Sequence, residues 1–288
     1  DDDGDTCDDC SAGTYDTLSE CNWDVSLDLH AGANLISFYA LPDDITVENV
    51  FSGSDGVIGE GVGAVNLDGD WIGSLTEVSQ SDGYWVKVSD AGSIDLSDCE
   101  PVNYDDDGQV IYENHIGNNL ISYSHSGSQD IGSALGDAAA NIYALAGEGV
   151  ASLWSSEADG WVGSLTAFEG GKGYWLVATD DFNFSFGSPS LGRSDAVQLL
   201  PRAVPETFSY VQSDQQAFFF INNATIGGEE LSDGDLVIAY NDGQVIGSRY
   251  WNGEYTDVPA MNAKDGDKIT FKVLDASTDE LIEMESEG

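Results

Sequence analysis

The sequence predicts an all-β protein: three β-sandwich-like domains in tandem, the first two duplicated, behind an acidic N-terminal arm. Three observations carry that expectation. Apolar residues gather in short β-branched and aromatic runs such as NLISFYAL and YWVKV, broken by turn residues. The chain holds 34 Gly against 6 Pro, which supplies turns between short strands without a collagen period. Four sequence blocks recur in the same order, so much of the chain is written twice.

Residues 1–22 form the arm. They are dense in Asp and Glu, contain no Lys or Arg, and show no alternating or helical apolar pattern. Residues 23–100 and 101–190 are the two β-domains. Asn34-Leu35-Ile36-Ser37 recurs as Asn119-Leu120-Ile121-Ser122, and Gly59-Glu60-Gly61-Val62 as Gly147-Glu148-Gly149-Val150. WIGSLT from Trp71 recurs as WVGSLT from Trp161, and Gly83-Tyr84-Trp85 as Gly173-Tyr174-Trp175. A spacing of 85 to 90 residues is too long for a solenoid repeat and suits two tandem domains. VENVFSG and the Ala-rich IGSALGDAAANIYAL are each expected to form a short helix. Residues 191–206 read as a connector, and 207–288 as a third β-domain. Its expected strands are Phe208 to Gln212, Gln216 to Asn222, Asp235 to Tyr240, Gln244 to Trp251 and Lys268 to Leu274, with a hairpin turn at Asp242-Gly243. The five-residue apolar run Ala217 to Ile221 implies a strand covered on both faces.

Charge limits the partners. Eight Lys and Arg against 53 Asp and Glu give a net charge of −45, which opposes nucleic acid and anionic membrane alike. At 41% hydrophobic and 10% aromatic residues the chain is nonetheless too apolar for a disordered acidic tail. No run approaches the roughly 18 apolar residues of a membrane span, so no membrane insertion is expected. A start at Asp1 rather than Met is expected of a processed chain or a fragment. Adaptation to salt is a rival account of the acidity, because at about 1 M the Debye length falls to about 3 Å and repulsion fades.

Few residues point to chemistry. Asp1, Asp3 and Asp5 place hard carboxylate oxygens at alternate positions around Gly4, and Asp8 and Asp9 follow, a pattern suited to Ca²⁺. Of the four cysteines, Cys21 and Cys99 bracket the first repeat and would clamp it, leaving Cys7 with Cys10. Cys10 with Cys21 is the competing pairing. A zinc site would want a second CxxC knuckle, and the acidic surroundings disfavour a redox thiolate. His30 and His115 occupy matching places ahead of the NLIS blocks and look architectural. No nucleophile elbow, HExxH, P-loop or dinucleotide fingerprint occurs, so no enzyme activity is expected. Trp85 and Trp251 are candidate platforms for stacking sugars, although core packing is the commoner use of Trp at repeat-matched positions. Asn183 and Asn223 head glycosylation sequons.

The first ten residues, DDDGDTCDDC, resemble a thrombospondin type 3 repeat, which implies bound calcium. The duplicated NLISFYALPDD, GEGV, WxGSL and GYW blocks, with the QAFFFI and IGSRYWNGEYTDVPAM stretches of the third domain, resemble modules of large secreted surface proteins of aquatic bacteria. That resemblance implies an extracellular or cell-surface location and a non-enzymatic role. The expected function is a structural protomer that polymerises with itself head to tail into a fibre or filament, stabilised by calcium and disulfides. The alternative is a carbohydrate-binding or adhesive module with a surface polysaccharide as partner.

Overall fold

The computed structural model describes residues 23–101, 110–187 and 197–285. Strands dominate them, 25 in number against two short α-helices and two 3-10 turns, so the chain is all-β as expected. No helix among the described residues is long and apolar enough to cross a membrane. Two compact units partition the chain: residues 1–142 with 167–197, and residues 143–166 with 198–288.

In the first unit, residues 23–101 carry β1 (Trp23–Leu29), β2 (Gly32–Ile36), β3 (Ala40–Leu41), α1 (Val47–Val50), β4 (Gly56–Ile58), β5 (Gly63–Leu67), β6 (Asp70–Gly73), β7 (Tyr84–Val88) and β8 (Gly92–Pro101). They form a three-stranded sheet, β1-β8-β3, and a five-stranded sheet, β2-β7-β4-β5-β6, both antiparallel. In β1 the side chains of Val25, Leu27 and Leu29 point inward while Asp24, Ser26 and Asp28 face solvent, the period of two that a half-buried strand requires. Both sheets contribute to one core, with Val25, Leu27, Ile94 and Leu96 from the smaller and Ile36, Val57, Tyr84 and Val86 from the larger. Phe38, Phe51 and Tyr84 meet at its centre with ring centroids 5.7–6.4 Å apart. Removing the fully buried Phe51 ring would cost about 3–5 kcal/mol.

Residues 110–187 carry β9 (Tyr112–Asn114), β10 (Gly117–Ile121), β11 (Ser128–Asp130), α2 (Ile131–Leu135), β12 (Ile142–Ala146), β13 (Ala151–Ser155), β14 (Gly160–Gly163), β15 (Ala167–Glu169), β16 (Tyr174–Ala178) and β17 (Phe182–Phe184). The Ala-rich stretch is only partly helical. Asp130 caps α2 by accepting from the Ser133 amide at 2.9 Å, Gly136 ends it at φ +50, a 3-10 turn spans Gly136–Asn141, and NIYAL turns into strand β12. Within the first unit β10 pairs with β16, β11 with β15 and β9 with β17. The β10–β16 register repeats that of β2–β7: Leu120 lies opposite Trp175 as Leu35 lies opposite Trp85, and Ile121 opposite Tyr174 as Ile36 opposite Tyr84.

The matching segments of the first unit touch reciprocally. The Gly83 amide donates to the Leu120 carbonyl at 3.1 Å, and the Gly173 amide to the Leu35 carbonyl at 3.2 Å. Ser122 donates to Ser81, and Ser37 to Gly171, in the same relation. A Cβ at Gly83 would stand 2.7 Å from the Ile121 carbonyl oxygen and one at Gly173 2.6 Å from that of Ile36, so the close approach requires glycine at both places. Leu35, Trp85 and Leu120 are buried together at this seam, with Trp175 packed against them.

In the second unit β12, β13 and β14 form an antiparallel meander. Downstream lie β18 (Gln216–Ile221), β19 (Thr225–Ile226), β20 (Glu229–Glu230), β21 (Leu236–Asn241), β22 (Gln244–Tyr250), β23 (Thr256–Met261), β24 (Thr270–Asp275) and β25 (Glu280–Glu283). They pair as β18-β23, β19-β20 and β22-β21-β24-β25. Asp242-Gly243, both at positive φ, close the β21–β22 hairpin where the sequence places the turn. Val237, Ala239, Trp251, Val258 and Val273 form the core of this C-terminal module. Two expectations fail here. Residues 208–212 are not a strand; a 3-10 turn at Glu206–Phe208 leads into irregular chain. The Ala217–Ile221 run is not covered on both faces either, because Ala217 and Phe219 point to solvent while their neighbours are half-buried.

Candidate functional site

The most elaborate polar constellation among the described residues lies in the second unit, where the C-terminal module rests on the β12–β14 meander. Asp257, in β23, is buried, and its Oδ2 accepts from the Ser164 hydroxyl at 2.6 Å, the Ala151 amide at 3.2 Å and the Arg249 guanidinium at 3.2 Å. Arg249, in β22, also donates to the Gly149 carbonyl at 2.6 Å and to the Asp257 carbonyl at 2.9 Å. Gln216 of β18 completes the set: its amide donates to the Gly147 carbonyl at 2.8 Å, and its oxygen accepts from the Gly149 amide at 3.3 Å. The Phe220 ring fills the space that a side chain at Gly163 would take, 2.9 Å from such a Cβ. At the far end the hydroxyls of Ser155 and Tyr255 meet at 3.2 Å.

Burial dominates the electrostatics. Desolvation pushes the Asp257 carboxyl above its ordinary pKa, opposed first by Arg249 and then by the Ser164 hydroxyl and the backbone donors. In a chain with only 8 Lys and Arg, placing one of them here ties the module to the meander by charge as well as by shape.

The meander groups that hold the module belong to the two sequence blocks that recur most closely. Gly147 and Gly149 come from GEGV and Gly163 and Ser164 from WVGSLT, with Ala151 directly after the first block. Their counterparts in the first unit are Gly59, Gly61, Gly63, Gly73 and Ser74, on the same strand arrangement. The turns match in detail: Gly59 donates to the Val62 carbonyl at 2.9 Å, as Gly147 donates to Val150 at 2.9 Å. In the first unit the Gly63 amide turns instead to the Ser74 hydroxyl at 3.3 Å. The outer face there is open and apolar: Ile58, Val65, Leu67 and Ile72 are 44–57% exposed. The contrast at matched positions measures the covering, since Val62 is 38% exposed against 7% for Val150, and Leu67 53% against 6% for Ser155.

The sequence-predicted residues fall elsewhere. Trp85 and Trp251, expected as sugar platforms, are each 3% exposed, the first at the seam with Leu35 and Leu120 and the second in the module core. That corrects the stacking expectation, because a buried ring presents no face to a sugar. Alternation along β7 sets Trp85 on the face opposite Tyr84, with Lys87, and the matching segment covers that ring. Asn183 and Asn223 are exposed. Cys99 is buried and free, its thiol 3.8 Å from the Ser97 carbonyl, and burial first, then Asp24 and Asp98, push its pKa up. Cys7, Cys10 and Cys21 lie outside the described residues, as do Asp1, Asp3, Asp5, Asp8 and Asp9. Among the described residues no group of three or more His, Cys, Asp or Glu side chains is placed to hold a metal.

The matched histidines have the expected architectural setting. Asn34 bridges the His30 amide and carbonyl at 2.9 Å each, and Asn119 does the same for His115 at 2.9 and 2.8 Å. His115 adds a contact of its own, with Nε2 2.7 Å from Glu60, whose other oxygen accepts from the Leu120 amide at 2.7 Å. Sequence reasoning missed Asp257, Arg249 and Gln216, whose signal was indirect: blocks with no catalytic residue repeat nearly intact. A cavity of about 310 Å³ beside Tyr210, Asn241 and Met261 brings together no acid–base or nucleophilic set. In comparison with known proteins, no family model, curated protein or solved structure matches the chain.

Proposed function

We propose that this chain is a non-enzymatic extracellular structural protein, a self-assembling protomer of a surface fibre or filament built by face-to-face docking of β-modules. The observation that carries the reading is the open apolar face of Ile58, Val65, Leu67 and Ile72, on strands whose counterparts are covered by a module. Contiguous apolar residues on a sheet face favour association by the area they remove from water. The net charge of −45 makes cations a requirement of such assembly, and the Asp1–Asp9 cluster is the proposed calcium site, with pairing among the N-terminal cysteines as covalent reinforcement. The burial of Trp85 and Trp251 gives the carbohydrate-binding alternative no support.

Electron microscopy and light scattering of the full chain with millimolar calcium test the proposal. Filaments or ordered oligomers are expected. A monodisperse monomer across the micromolar range, with and without calcium, would overturn it.

A further inference from the structure

We infer that the open face of the first unit is a second receptor for the C-terminal module, and that its occupant is the module of a second copy of this chain. The inference presupposes the module-joined protomer proposed above and names the chemistry of its joint.

Three observations point to that occupant. First, most of the backbone and hydroxyl groups that grip the module have a counterpart of the same kind: the Gly147 and Gly149 peptide groups correspond to Gly59 and Gly61, the Ala151 amide to Gly63, and the Ser164 hydroxyl to Ser74, while the Ser155 hydroxyl that meets Tyr255 is replaced by Leu67. An Asp257–Arg249–Gln216 set arriving there would meet donors and acceptors of the same kind, once the Gly63 amide leaves the Ser74 hydroxyl. Second, the position facing the Phe220 ring is glycine in both, Gly163 and Gly73, so a side chain blocks the ring in neither place. Third, the open face is richer in apolar carbon. Ile58, Leu67 and Ile72 stand where the meander of the second unit has Ala146, Ser155 and Val162. Transfer of a module therefore exchanges one set of polar contacts for a like set and covers more apolar surface than it exposes.

Each chain carries two receptors and one module. In an isolated chain the covalent link gives docking on residues 143–166 a high effective concentration, which leaves the face around Ser74 open. At high chain concentration the module exchanges onto a neighbour. Because the donor and acceptor surfaces differ, the contact is heterologous and propagates instead of closing on itself.

The test uses the full chain in size-exclusion chromatography with light scattering. Ser164→Glu sets a second carboxylate against Asp257 and frees the module; the chain is expected to associate, its mass rising about twofold or more. Adding Ser74→Glu blocks the receiving face and returns the mass to that of one chain. Should Ser164→Glu lose its near-ultraviolet circular dichroism, Ser155→Glu, beneath Tyr255, replaces it. Lost amide protection at Gly149 and Ala151 without association overturns the inference, as does association that survives Ser74→Glu. Wild-type filaments that persist with Ser74→Glu remove this inference and leave the protomer reading standing. Association of the Ser164→Glu chain without any wild-type filament does the reverse.

Discussion

Replacing Asp257 by Asn keeps the shape of the side chain and removes its charge. Arg249, 7% exposed, would remain buried beside a neutral amide, and its guanidinium, the Ala151 amide and the Ser164 hydroxyl would still converge on that one oxygen. Breaking a buried pair from one side costs about 3–5 kcal/mol. With a urea dependence of about 2 kcal/mol per molar, the unfolding midpoint of the second unit should fall by about 2 M. Ser164→Ala removes one hydrogen bond to a charged group and should cost about 1.5–3 kcal/mol. Combined with Asp257→Asn its effect should fall short of additive, since the two groups are 2.6 Å apart. Ser74→Ala, the same change at the matched exposed position, should stay within about 0.5 kcal/mol at dilutions where chains do not associate. Urea titrations followed by Trp fluorescence read all four proteins. A midpoint for Asp257→Asn within about 0.3 M of wild type, or equal losses for Ser164→Ala and Ser74→Ala, would refute the reasoning.

Other expectations follow from the same contacts. Gly173→Ala drives a methyl into the Ile36 carbonyl and should destabilise the first unit by about 1–3 kcal/mol, read as a lower melting temperature; an unchanged value would mean that the seam is loose. Hydrogen bonds to the Ile116 carbonyl and then to Glu60 hold His115 above its ordinary pKa, so its contribution is full below that value and lost as pH rises through the folded pKa. The melting temperature should therefore fall across neutral pH, and His115→Gln should flatten that slope. Calcium held by the N-terminal aspartates at a hundredfold excess over its Kd would add about 2.7 kcal/mol, and an EDTA-insensitive melting temperature would remove that site.

Much of the strand pattern was legible because it rests on local rules. Alternation marked β7, and the Asp242-Gly243 pair marked a hairpin. Long-range packing decided what was missed. Trp85 reads as a solvent-side ring by alternation, and only a second segment brought against it makes it core. NIYAL reads as helix from its Ala-rich neighbours until pairing with β13 makes it a strand. The docking set was hidden for a related reason. Its recognition groups are mostly peptide N–H and C=O groups on glycines, which carry no side-chain signature, and their partners Asp257 and Arg249 are distant in sequence.

The open face of the first unit also has a kinetic side. Ile58, Val65, Leu67 and Ile72 are neutral, but Glu60 and Asp68 lie on the turns that frame them, Asp70 opens β6, and a second copy carries the same excess of carboxylates. Encounter is slowed by that repulsion long before apolar surfaces touch, and at about 0.1 M salt the field still reaches about 10 Å. In the proposed assembly, ionic strength would set how often two copies come within range and the apolar face how long they stay. On that proposal, chains in dilute medium would stay separate and join where salt or divalent cations are concentrated.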